Sequence, residues 1–199
     1  MIFILSACSS NATSTPVQEV AIEEISPTQA PVSSVIKFYP LDTKTGNADI
    51  DVIITAVASG ETQELTNLFG YTTTACKTVN ALGGPPPCRE GEAEGTLVDV
   101  LPFLGSEGSY TRRDEINNFP GLNVIGLYAV YGVPATVFSD VNYPAGDYAI
   151  AYVGEGNLPE VALQVTNGKI VRIDYIFGYP EYNNFLPQGI TDFILEPLK

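Results

Sequence analysis

VALQVTNGKIVRID, residues 161–174, decides how the folded part of this chain is built. Val161, Leu163 and Val165 alternate with Ala162 and Gln164, and a second β-prone run follows from Lys169. Between the two runs stands Asn167-Gly168, the pair that best tolerates the positive φ a type I′ turn needs at both central positions. The stretch therefore predicts an antiparallel hairpin. In its second strand Arg172 and Asp174 share a face flanked by Ile170 and Ile176, while Val171, Ile173, Tyr175 and Phe177 form an opposite face of core character.

Further β-prone runs occur at residues 71–74, 96–104, 123–132 and 147–153, each rich in Val, Ile, Leu, Thr or Tyr and bounded by turn-forming residues. Helical spacing is convincing in one region only. Ile50, Ile53, Ile54 and Val57 make an apolar face behind the capping candidates Asn47 and Asp49, and Gly60 separates them from Leu65, Leu68 and Phe69. Two short helices are expected there, followed by an antiparallel meander. The class is α+β, with the helices on one face of a curved antiparallel sheet.

That order, from IDVIITAVASGETQELTNLF to VALQVTNGKIVRIDYIFG, resembles the NTF2-like, cystatin-related superfamily over residues 47–177. The resemblance implies a cone-shaped sheet whose concave side lines a pocket, and it carries no activity with it. Residues 76–122 exceed what a minimal domain of that kind needs and read as an insertion closed by a disulfide. Overlapping its start, TTTACKTVNALGGPPPCREGEAEGT resembles a segment from a family of exported bacterial proteins, to which no activity attaches.

The first eight residues, Met1-Ile2-Phe3-Ile4-Leu5-Ser6-Ala7-Cys8, are an apolar run ending in a sequence that resembles the bacterial lipobox. The resemblance implies that Cys8 becomes a lipidated N-terminus, with small Ser6 and Ala7 giving the processing peptidase room. No Lys or Arg precedes Cys8, so the basic part of such a signal is expected further upstream. Residues 9–34 are rich in Ser, Thr, Pro and Glu, the composition of an extended linker, and residues 35–199 are left as one domain. The expected location is extracytoplasmic, lipid-anchored to a bacterial membrane.

Composition narrows the function further. Hydrophobic residues make up 45% of the chain and charged residues 16%, which is globular rather than disordered. Nine Lys and Arg against 23 Asp and Glu give a net charge of −14, which opposes binding to nucleic acid. The chain contains no His, so every triad or metal site that needs an imidazole is excluded.

Cys76 and Cys88 bracket the Gly- and Pro-rich loop KTVNALGGPPP. In an exported protein they are expected to form a disulfide worth about 3 kcal/mol by chain entropy. Glu90, Glu92 and Glu94 are either a weak Ca²⁺ site or a solvated acidic turn, with no metal otherwise indicated. Arg172 and Asp174, together with Tyr148 and Tyr128, are the candidates for a ligand pocket. The competing interpretation is a surface ion pair, with the tyrosines as half-buried packing. No catalytic signature and no cofactor motif is present.

The reading that results is a non-enzymatic ligand-binding or interaction module of the cell envelope. Its expected partners are the membrane, through the lipid on Cys8, and a small molecule or an envelope protein. Two alternatives stand beside it: a small enzyme using a pocket carboxylate such as Asp174 as general base, and a purely structural accessory subunit.

Overall fold

The computed structural model describes residues 36–79, 81–155, 159–176 and 186–199, all within a compact unit spanning Ser33–Lys199. Cys8 and the linker at 9–34 lie outside the described residues. Helix α1 is Ala48–Ser59 and α2 is Thr62–Thr66. Asn47 caps α1 by accepting hydrogen bonds from the amides of Asp49 and Ile50, at 3.1 and 3.4 Å. Gly60 ends it in the left-handed conformation, at φ 71°. Ile50, Ile53, Ile54 and Val57 are buried, so the apolar face expected from the spacing is the face that packs.

Eight strands follow: β1 Thr72–Ala75, β2 Leu97–Leu104, β3 Gly108–Arg112, β4 Val124–Gly132, β5 Tyr148–Gly154, β6 Pro159–Thr166, β7 Lys169–Tyr175 and β8 Phe193–Leu195. They form one sheet in the order β1-β2-β7-β6-β5-β4-β8, with β3 paired to β2. Phe103 and Leu104 pair with β7 on one flank and with β3 on the other, so β3 is an edge strand. The β6–β7 hairpin turns at Asn167 and Gly168, both at positive φ, 50° and 68°.

Two expectations are corrected here. The sheet is mixed rather than antiparallel throughout, because β2 runs parallel to β7, with Phe103 opposite Ile173 and Leu104 opposite Asp174. It is also open: the strand order ends at β1 on one side and β8 on the other, and no ladder joins them. An NTF2-like cone requires a closed, curled sheet, so that resemblance does not hold. The interval 76–122, expected to be an insertion, supplies β2 and β3 to the sheet and Leu101, Phe103 and Phe119 to the core.

The main core lies between the helices and the sheet, where Ile50, Ile53, Ile54, Leu65 and Phe69 meet Leu101, Leu127, Ile150, Leu163, Ile170 and Ile173. Ile170 stands on this face rather than beside Arg172. The β6–β7 register shifts between Gln164 and Val165, so that Val165 pairs with Ile170 and Gln164 with Arg172. This leaves Val171 as the extra residue of a bulge and breaks the two-residue alternation. The opposite face carries a smaller buried layer of Ala129, Ala149, Ala151, Ala162 and Tyr131, covered in part by Val133, Leu186, Ile190 and Phe193.

Candidate functional site

Arg172, Asp174, Tyr148 and Tyr128 do not converge on one pocket. Arg172 is 0% exposed, and its Nε and Nη2 donate to the Asp174 carboxylate at 2.6 and 2.9 Å. Its Nη1 donates to the carbonyls of Phe138 and Tyr143, at 2.8 and 2.9 Å. Asp174 also accepts from the Gln164 amide at 2.7 Å, and the Gln164 side-chain oxygen accepts from the amide of Gly146 at 3.1 Å. The group is therefore a buried clamp that fastens the β4–β5 connection to the sheet. Gly146 has to be glycine there, since a Cβ would stand 2.3 Å from the amide nitrogen of Val165. Tyr148 packs on the helix-facing core, and Tyr128 packs against the alanine layer of the other face.

Cys76 and Cys88 are joined by a disulfide, with Cα atoms 4.9 Å apart. Arg112 of β3 reaches into the loop it closes, donating to both oxygens of Glu92, at 2.7 and 2.8 Å, and to the Pro87 carbonyl at 2.7 Å. The Arg112 hydrogen bonds, followed by one from the Arg89 amide, pull the Glu92 carboxyl down to about 2. Glu94 is bound instead by Thr78 and Lys77, at 2.7 and 3.4 Å. The three carboxylates Glu90, Glu92 and Glu94 do not gather around a common point, and no metal-binding cluster occurs among the described residues.

Beside this loop, a groove lined by Arg89, Arg112, Arg113, Asp99 and Asp114 holds matched charges. Arg89 binds Asp114 in bidentate fashion, at 2.5 and 3.0 Å, and also contacts Glu115. Arg113 stands 3.7 Å from Asp99 and over the Tyr71 ring. Each arginine there has an acidic partner, so the groove does not present an uncompensated cation to an anionic ligand.

The site with open binding capacity lies elsewhere, at the parallel seam. A cleft of about 360 Å³ is lined by Phe103, Ser109, Thr111, Glu115, Asn118, Phe119, Pro120 and Tyr175. Its construction follows from the sheet register. Ser109 pairs with Phe103 and Thr111 with Leu101 across β2–β3, while Ile173 pairs with Phe103 across β2–β7. Directly paired residues share a sheet face, and Tyr175 is two residues beyond Ile173, so Phe103, Ser109, Thr111 and Tyr175 stand on the helix-facing side together.

The 3₁₀ turn at Arg113–Asn118 then carries the chain to Phe119 and walls the cleft. Phe119 meets Phe69 edge to face at 5.4 Å and lies 6.2 Å from Phe103. Phe103 in turn is 6.1 Å from Tyr175, with their rings 16° from parallel. Tyr175 is 39% exposed, whereas the two phenylalanines are buried, so the tyrosine offers the accessible ring. Burial and the nearby Glu160 raise its hydroxyl above the ordinary value.

Ser109 and Asn118 are exposed and Thr111 is half-buried, and among the described residues their side chains have no hydrogen-bond partner within the protein, so their polar groups face solvent. This cleft was not anticipated from the sequence. The signal available was the aromatic character of Phe103, Phe119 and Tyr175, but their convergence depends on the β2–β7 pairing, which no local pattern encodes. No family model, no curated protein and no solved structure matches the chain.

Proposed function

We propose that this domain is a non-enzymatic binding module that takes a small ligand in the cleft between β3, Phe119 and Tyr175. The observation that carries this reading is the combination of an aromatic floor with three polar side chains that have no partner inside the protein. Small-molecule sites are built in this manner, mostly apolar with a few polar groups to fix orientation. An enzyme using Asp174 as base is less well supported: both of its oxygens accept hydrogen bonds, from Arg172 and Gln164, in a position that anchors a loop. The test is amide NMR during titration with a small-molecule library. Shifts confined to residues 103, 109–111, 118–119 and 175 support the reading, and shifts confined to other surfaces overturn it.

The lipobox-like sequence at Cys8 supports an anchored, extracytoplasmic location. The chain joins the domain beside β4, where Tyr39 exchanges backbone hydrogen bonds with Leu127 and its hydroxyl donates to the Glu196 carbonyl at 2.8 Å. In the sheet order β4 is separated from β7 by β5 and β6. Native protein is expected to partition into detergent, and Cys8→Ser is expected to release it. An unmodified Cys8 at the mature N-terminus, seen by mass spectrometry, would remove the anchor.

A further inference from the structure

We infer that the ligand of the cleft is a neutral saccharide, with one ring face against Tyr175 and its hydroxyl edge toward Ser109, Thr111 and Asn118. This rests on the reading of the cleft as a binding site and adds the class of ligand. Charge, polarity and ring geometry each narrow the choice.

Anions are disfavoured because Glu115 is the one charged residue among those lining the cleft, on a chain of net charge −14. A cationic ligand held over the aromatic rings would draw on a free carboxylate at the rim. Glu115 is engaged in an ion pair with Arg89, which it shares with Asp114, so its carboxylate is held at that guanidinium rather than offered singly to a ligand. A wholly apolar ligand would cover Ser109, Thr111 and Asn118 and strip them of water while returning no hydrogen bond.

A saccharide satisfies both halves of the surface. The C–H face of a pyranose is apolar and flat enough to lie on an aromatic ring, and its hydroxyls both donate and accept around the rim. Hydroxyl and amide side chains have the same dual capacity, so Ser109, Thr111 and Asn118 match sugar hydroxyls without a net charge on either side. The near-parallel rings of Phe103 and Tyr175 supply the floor, and Tyr175 presents the exposed ring.

The experiment is calorimetric titration of the full chain in detergent with cellobiose, maltotriose and chitobiose, and in parallel with choline, acetate and cyclohexanol. At least one saccharide is expected to bind, with an affinity unchanged between about 0.05 and about 0.5 M salt, because no charge pairing contributes. Tyr175→Ala is expected to weaken that binding by about tenfold. Asn118→Ala should weaken it by a smaller factor, with melting temperatures held within about 2 °C of the parent for both variants. Binding of choline, acetate or cyclohexanol with the same Tyr175 dependence, and of no saccharide, overturns the ligand class and leaves the cleft as a binding site. Silence of all six probes counts against both readings. Saccharide binding that survives Tyr175→Ala overturns the placement.

Discussion

Arg172 is wholly buried, and its guanidinium makes four hydrogen bonds, two to Asp174 and two to the backbone carbonyls of Phe138 and Tyr143. Its removal would leave the Asp174 carboxylate without its cation and two carbonyls without donors. Arg172→Leu is expected to lower stability by about 3–5 kcal/mol in urea titration. Arg172→Lys should recover little, since an ammonium cannot reproduce the planar fork. A loss below about 1 kcal/mol would show that the clamp is dispensable. The Tyr152 hydroxyl is the converse case, fully buried and with no hydrogen-bond partner among the described residues. Burial raises its pKa far above that of an ordinary tyrosine. Tyr152→Phe keeps the ring in the core and removes the stranded group, so stability is expected to rise by about 1 kcal/mol. A fall of that size would point to a hydrogen bond the hydroxyl makes in solution.

At the scale of elements, local chemistry explains which parts could be read in advance. Asn47, Gly60 and the Ile spacing define α1, and Asn167-Gly168 defines the β6–β7 turn, because each depends on residues close in sequence. The short strands β3 and β8, GSYTR and FIL, carry too little periodicity to announce themselves and exist through their pairing with β2 and β4. The face of Ile170 departs from simple alternation for a related reason: the bulge at Val171 is set by the partner strand. The disulfide loop gives the prediction at this scale. Glu92 is held down to about 2, against an ordinary value of 4.5, by Arg112 and the Arg89 amide. A depressed carboxyl stabilises fully above its unfolded pKa and ceases to do so as pH falls through the folded one. Protection of residues 81–95 from protease should therefore be constant from neutral pH to about 5 and decline between about 4.5 and 2. Glu92→Gln should reduce that dependence without abolishing it, since Asp114 and Glu94 are also lowered, by Arg89 and by Thr78 with Lys77. An unchanged profile in that variant would exclude Glu92 as the titrating group.

For the whole molecule, the decisive feature is the parallel join of β2 to β7, and it is also what the sequence could not disclose. A pattern of Val, Ile and Tyr marks a strand and its buried face, but says nothing of which strand lies beside it or in which direction. The meander expected from chain order would have put antiparallel neighbours throughout, and the cleft, built where β2, β3 and β7 meet, had no place in that picture. The join is narrow: β7 pairs with β2 only at Phe103 and Leu104, while β4, β5, β6 and β7 are linked by long antiparallel ladders. On the other flank β2 is supported by β3, to which Arg112 fixes the disulfide loop, while β1 pairs with the first half of β2 on the same flank as β7. Two zones of unequal strength are expected as a result, since sub-global opening follows the boundaries where fewest hydrogen bonds are broken. In native-state hydrogen exchange, amides of β5 and β6 should open only with global unfolding, and those of β1, β2 and β3 at a lower free energy. Reduction of Cys76–Cys88 should widen the gap by loosening the β3 side first. A ligand bound across Phe103, Ser109 and Tyr175 should narrow it, because it bridges the seam and stabilises the closed form by mass action. Exchange of β1, β2 and β3 in a single step with β5 and β6, before and after reduction, would show that the seam is no weaker than the ladders beside it.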